Sequence, residues 1–194
     1  MKILLAQINS TIGDLEGNTK KIIEEIQRAK SENAALVVFP ELALTGYPPE
    51  DLLLLPHFMD AVEHHLKIIV ESTKDIMAIV GIPRRNKGVG KPLYNSAAVI
   101  CKKSILGYQD KILLPTYDVF DEHRYFEAGT EQTIWTWQEK RIGITICEDI
   151  WHHSSLIQEV NYYRDPVLDL SNHSPDLVVN LSASPYSLNK FDYR

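Results

Sequence analysis

The chain has 194 residues, 44% of them hydrophobic, and a formal net charge of -6; that length and apolar content suit one domain, residues 1–194, around a single core. The acidic balance offers no broad basic surface for phosphate contacts, which argues against nucleic acid as a partner. No apolar run approaches the roughly 20 residues that span a membrane. The opening MKILLAQINS reaches polar Gln7 and Asn9 too soon for a signal-peptide core, and with two cysteines, Cys101 and Cys147, the chain is expected in the reducing cytoplasm.

In chain order, Lys2 to Ile8 predicts a short buried strand, and the turn from Gly13 to Gly17 leads to a helix capped by Asn18. Ile22, Ile23, Ile26 and Ala29 recur on one face of that helix. Ala35 to Phe39 is too short for a helix and is stopped by Pro40, so it predicts a second strand, buried on both faces. Strand, helix, strand is the parallel crossover pattern. Pro56 opens a second helix with the stripe Phe58, Val62, Leu66, Ile69 and Val70, followed by a strand from Ile76 to Ile82.

Tyr94 to Cys101 and Ser104 to Tyr108, separated only by Lys102 and Lys103, predict an antiparallel hairpin, so the sheet is mixed. Gln109 to Thr130 has no clear period, and so long a loop in a small domain is usually functional. Gln132 to Trp137, Arg141 to Cys147 and Leu177 to Leu181 predict further strands, with a helix near Ser155 to Tyr163 between the last two. The glycines of Lys87 to Lys91 lack the helix opening of a phosphate cradle and predict a surface turn.

Reactive groups in α/β sheets gather beyond the carboxyl ends of the strands. Glu41, Cys147, Ser182 and Ser184 all fall there. Along the strand before Cys147, Ile142, Ile144 and Ile146 make one face bulky, while Gly143, Thr145 and Cys147 make the other small, which leaves space for a substrate. The alternative is a structural cysteine, the commonest fate of a free thiol, and this is the reading for Cys101. A reactive Cys147 needs a nearby cation to favour the thiolate, a base to take its proton, and positive charge or donors for an oxyanion. Glu41 and Lys111 are the candidates, although either alone is as readily a surface charge. The pairs His64-His65 and His152-His153 lack the spacing of zinc ligands, so no metal is expected.

Phe39-Pro40-Glu41, Tyr108-Gln109-Asp110-Lys111 and Ile146-Cys147-Glu148-Asp149, in that order, resemble the nitrilase superfamily, whose members hydrolyse carbon–nitrogen bonds with a Glu, Lys and Cys triad. AQINSTIGDLEGN, PELALTGYPPEDLL, YDVFDEHRYFEAG and NLSASPYSLNK are similar to the amidase domain of glutamine-dependent NAD synthetases. The resemblance implies an α-β-β-α sandwich of two mixed sheets flanked by helices, incomplete at its C-terminal end. It also implies a catalytic set of Glu41, Lys111, Cys147 and a supporting Glu122, with Tyr117, Glu148, Trp151, Ser184 and Lys190 binding L-glutamine. Ammonia would pass to a synthetase domain; ATP, Mg and deamido-NAD belong to that domain, whose glycine-rich loop this chain does not carry. A homo-oligomer is expected. A free-standing amidase acting on another small amide, or a folded fragment without catalysis, are the alternatives.

Overall fold

The computed structural model describes residues 1–117, 119–152 and 162–185. Its first strand, Ile3–Leu5 (β1), is shorter than expected. The helix Leu15–Ser31 (α1) is capped by Asp14, whose carboxylate accepts from Gly17 N at 2.9 Å. The expected cap Asn18 lies inside the helix instead, buried. Its amide accepts from Thr11 N and donates to the carbonyls of Thr11 and Leu44. A cap must sit just before the first turn to reach its free N–H groups, and Asp14 does so. Ile22, Ile26 and Ala29 are fully buried, and Ile23 borders the stripe.

Leu36–Val38 (β2) pairs parallel with β1, completing the expected crossover. The helix Pro56–Glu71 (α2) starts at its proline and buries all five residues of its predicted stripe. Met77–Arg85 (β3) is parallel to β2, whereas Leu93–Cys101 (β4) and Ser104–Asp110 (β5) run antiparallel, so the first sheet is mixed with order β1-β2-β3-β4-β5. Lys102 and Lys103, both at positive φ, form the tight turn of the hairpin. Glu122–Tyr125 (α3) is one helical turn within the long connection.

The second sheet contains Ile134–Trp137 (β6), Lys140–Ile146 (β7) and Leu177–Leu181 (β8), with β7 antiparallel to β6 and parallel to β8. Strand alternation sorts the side chains of the first sheet. Val37, Ala78, Val80, Ala98 and Ile100 lie under α1 and α2. Leu36, Val38, Met77, Ile79, Ala97, Val99 and Cys101 pack against Ile142, Ile144, Ile146, Val179 and Leu181 of the second sheet. Each fully buried Ile or Val of that layer contributes roughly 1.5–3 kcal/mol.

Pro166–Ser171 (α4), capped by Asp165, covers the outer face of the second sheet. The layers therefore follow the α-β-β-α order of a nitrilase-like sandwich. The small outer face of β7 is not open space, because a Cβ on Gly143 would stand 2.6 Å from Leu170. The glycine admits α4, not a substrate. The helix expected near Ser155 to Tyr163 falls mostly outside the described residues; Tyr162 and Tyr163, which are described, are not helical.

Candidate active site

At one end of the layer between the sheets, polar residues replace the apolar ones. Asn95 of β4 and Lys111, just past β5, share the face that Ala97, Val99 and Cys101 turn toward the second sheet. Their backbones are joined by Lys111 N donating to Asn95 O at 2.8 Å. Glu41 enters beside them from the turn after β2. That turn presses against β3 at Gly81, where a Cβ would meet Pro40 O at 2.3 Å and Leu42 N at 2.4 Å. Gly81 is thus required for Glu41 to approach.

Lys111 is 1% exposed, and its Nζ donates at 2.7 Å to Glu41 Oε1 and at 2.7 Å to Glu122 Oε1. Burial alone would pull its pKa down, but Glu41 and Glu122 outweigh it and hold the ammonium charged. An ammonium has three N–H groups, so among the described residues two ion pairs leave the third for another acceptor. Asn95 Nδ2 donates to Glu41 Oε1 at 2.8 Å and to Glu122 Oε2 at 3.5 Å. Tyr47 donates to Glu122 Oε1 at 2.9 Å. Burial pushes the Glu122 carboxyl upward, against the pull of Lys111.

Cys147 comes from the second sheet. Rather than closing β7, it heads the 3-10 turn Cys147–Ile150, with a φ of +44° and 4% exposure. Ser182 Oγ, past β8, lies 3.4 Å from its sulfur, and the next residue, Ala183, donates its N–H to Glu41 Oε2 at 3.1 Å. Two adjacent residues thereby link the thiol to the carboxylate. The thiol is pushed up to about 12, first by burial and then by the charge of Glu41, with Lys111 opposing. Lys111 favours the thiolate, as a nearby cation should, but burial and the charge of Glu41 outweigh it, so the group is held as a thiol and needs a base.

Asp149, fully buried, accepts from Ile112 N and Leu113 N at 3.0 and 2.8 Å and from Ile146 N at 2.9 Å. One side chain thus fastens the segment after Lys111 to the turn that carries Cys147. Glu148, 3% exposed, accepts from Tyr117 Oη at 2.9 Å and Tyr162 Oη at 2.9 Å. These are neutral phenols around an acid.

Of the expected binding residues, Tyr117 and Glu148 meet directly through their side chains, and Trp151 is half-buried, its backbone N–H donating to the Glu148 carbonyl at 2.8 Å. Ser184 lines a cleft of about 450 Å³ with Glu41, Tyr47 and Ser182. Lys190 lies outside the described residues. Asn95, Asp149, Tyr47 and Tyr162 were not anticipated. The signal for Asn95 was a polar residue at a core parity of its strand, and for Asp149 an acid two places after the cysteine. Among the described residues no group of three or more potential metal ligands gathers, and no helix is long and apolar enough to cross a membrane.

A two-sheet sandwich with an acid, an amine and a thiol at one rim defines a class of hydrolase, and the family model described as carbon-nitrogen hydrolase matches residues 2–161. The chain belongs to that family. It is 42% identical over 193 residues to the glutamine-dependent NAD(+) synthetase of Synechocystis sp., covering 97% of this chain and 35% of that protein. The solved glutamine-dependent NAD+ synthetase of Acinetobacter baumannii superposes with a TM-score of 0.82 at 37% identity, over 97% of this chain and 33% of that one. An amidase from Nesterenkonia sp. AN1 shares the fold, with a TM-score of 0.79 at 18% identity over 98% of this chain and 70% of that one. The chain thus spans about a third of the length of the synthetases it matches.

Proposed function

We propose that this chain is the glutamine-hydrolysing part of a glutamine-dependent NAD synthetase and that it works through a cysteine thioester. The observation that carries the reading is the buried Lys111, paired at 2.7 Å with two carboxylates at the rim where Cys147 heads its turn. Glu41 takes the thiol proton as Cys147 Sγ attacks the side-chain amide carbon, and the remaining N–H of Lys111 stabilises the oxyanion. The tetrahedral adduct collapses to a γ-glutamyl thioester as Glu41 passes the thiol proton to the nitrogen, which leaves as ammonia, and Glu41 is a carboxylate again. Glu41 then draws a proton from a water that attacks the thioester, releasing glutamate and restoring the thiol. Glu122 orients Lys111 and shares its charge.

For the substrate, Glu148 is set to accept from an α-ammonium, because a buried carboxylate flanked by phenols is left without a compensating charge in these contacts. The resemblance assigns Tyr117, Trp151 and Ser184 to the same substrate, and Lys190, which lies outside the described residues, to its α-carboxylate. Ammonia passes to a synthetase domain, where ATP, Mg and deamido-NAD bind. Release of glutamate from glutamine, together with labelling of wild type but not Cys147→Ala by a glutamine-like electrophile, tests the reading. Hydrolysis of other small amides but not glutamine would indicate a free-standing amidase. Absence of both hydrolysis and labelling would leave a non-catalytic fold.

A further inference from the structure

Asn95 stands between the two carboxylates with an amide that has one consistent orientation. Both neighbours, Glu41 Oε1 and Glu122 Oε2, are acceptors, so Nδ2 faces them and Oδ1 points away. Among the described residues, that Oδ1 finds no hydrogen-bond partner, in a residue 1% exposed. A buried acceptor left unpaired costs about 1–3 kcal/mol, and a native structure keeps such a group for a reason. The reason lies at the other end of the amide.

A carboxylate oxygen offers about two lone-pair sites. On Glu41, Oε1 receives both Lys111 Nζ and Asn95 Nδ2 and is filled, while Oε2 receives, among the described residues, Ala183 N alone. Among the described residues the acceptor site left open on Glu41 is therefore on Oε2, the oxygen tied to the Ser182-Ala183 segment whose hydroxyl touches the sulfur. We infer that Asn95 is a positioning residue which closes Oε1 of Glu41, so that the thiol proton is received at Oε2, and which holds Glu122 as a separate partner of Lys111. The inference rests on the proposed role of Glu41 as base. Asn95 touches neither substrate nor sulfur in this scheme; it acts through Glu41. Its backbone carbonyl, bonded to Lys111 N, keeps the amine in register by the same strand position.

The test uses Asn95→Ala and Asn95→Asp in the intact protein, with Glu41→Gln and Cys147→Ala beside them. The readouts are kcat and KM for glutamine and the pH-dependent rate at which neutral acrylamide alkylates Cys147, which needs no assumption about substrate. Asn95→Ala should lower kcat about ten- to a hundredfold, the scale of misplaced catalytic groups, with KM changed less than about threefold. Asn95→Asp keeps the shape but adds a third acid, so the acid limb of the alkylation profile should move to higher pH as well. A role in stability alone would lower the melting temperature while leaving kcat per folded molecule and the pH profile unchanged, and that result overturns the inference. If Glu41→Gln is inactive while both Asn95 variants keep wild-type kcat and profile, this inference alone fails. If Glu41→Gln retains turnover, the assignment of the base fails with it.

Discussion

Cys147 holds a left-handed backbone, which crowds the Cβ of an L-residue and costs on the order of 1–3 kcal/mol. Such strain persists because the surroundings over-determine it, here β7 behind the residue and Asp149 two places ahead. Cys147→Ala should abolish glutamine hydrolysis yet shift the melting temperature little, because Ala keeps the Cβ and removes only the sulfur; turnover near wild type would remove Cys147 from the mechanism. The pH dependence follows from the direction of the thiol shift. A thiol pushed up to about 12 is ionised at pH 8 to about one part in 10⁴. Alkylation that relied on free thiolate would then climb tenfold per pH unit through that range. With Glu41 accepting the proton during attack, the rate should instead stay nearly level through that range, and Glu41→Gln should restore the climb. In the proposed mechanism the third N–H of Lys111 is needed chiefly when the oxyanion forms, so Lys111→Ala should lower kcat about 10²- to 10³-fold with a smaller change in KM. An unchanged kcat with a raised KM would make Lys111 a binding residue.

Asp149 shows how an element can be set by one side chain. Its three backbone donors come from two segments far apart in sequence, so it orders the Cys147 turn and the stretch after Lys111 together. Asp149→Asn would turn one acceptor oxygen into a donor facing a backbone N–H, leaving it unpaired at a cost of about 1–3 kcal/mol. A lowered urea midpoint and a lowered kcat are expected together; a variant as stable and as active as wild type would dismiss the role. The stripes of α1 and α2, the hairpin turn at Lys102-Lys103 and the strand before Cys147 were all legible in the sequence, because each depends on local period or turn chemistry. The helix α4 was not, since six residues are too few to display a 3.6 period. Asn95 and Asp149 escaped for another reason. Their partners sit on strands and turns that only the tertiary fold brings near, and an isolated polar residue does not announce which carboxylate or N–H it will meet.

At the scale of the molecule, the site is divided between the two sheets. Glu41, Asn95 and Lys111 are delivered by the first sheet, and Cys147 and Ser182 by the second, so the apolar layer between them sets the distance from the Glu41 carboxylate to the sulfur. Ile144, fully buried in that layer, and Ile26, fully buried between α1 and the first sheet, allow a matched comparison. Each truncation to Ala should cost about 2–5 kcal/mol in urea unfolding, through lost burial and the cavity left behind. Their effects on catalysis should differ. Ile26→Ala loosens a helix against a sheet that already holds Glu41, Asn95 and Lys111 in fixed relation, and kcat per folded molecule should remain near wild type. Ile144→Ala lets the two sheets settle toward each other and shifts Cys147 relative to Glu41, and because catalysis falls steeply with sub-ångström misplacement, kcat should drop several-fold or more. Glutamate release measured well below both unfolding transitions separates the two. Equal kcat in the two variants would mean that the alignment of thiol and base is secured locally, by Ser182, Ala183 and Asp149, and that the packing between the sheets supplies stability alone.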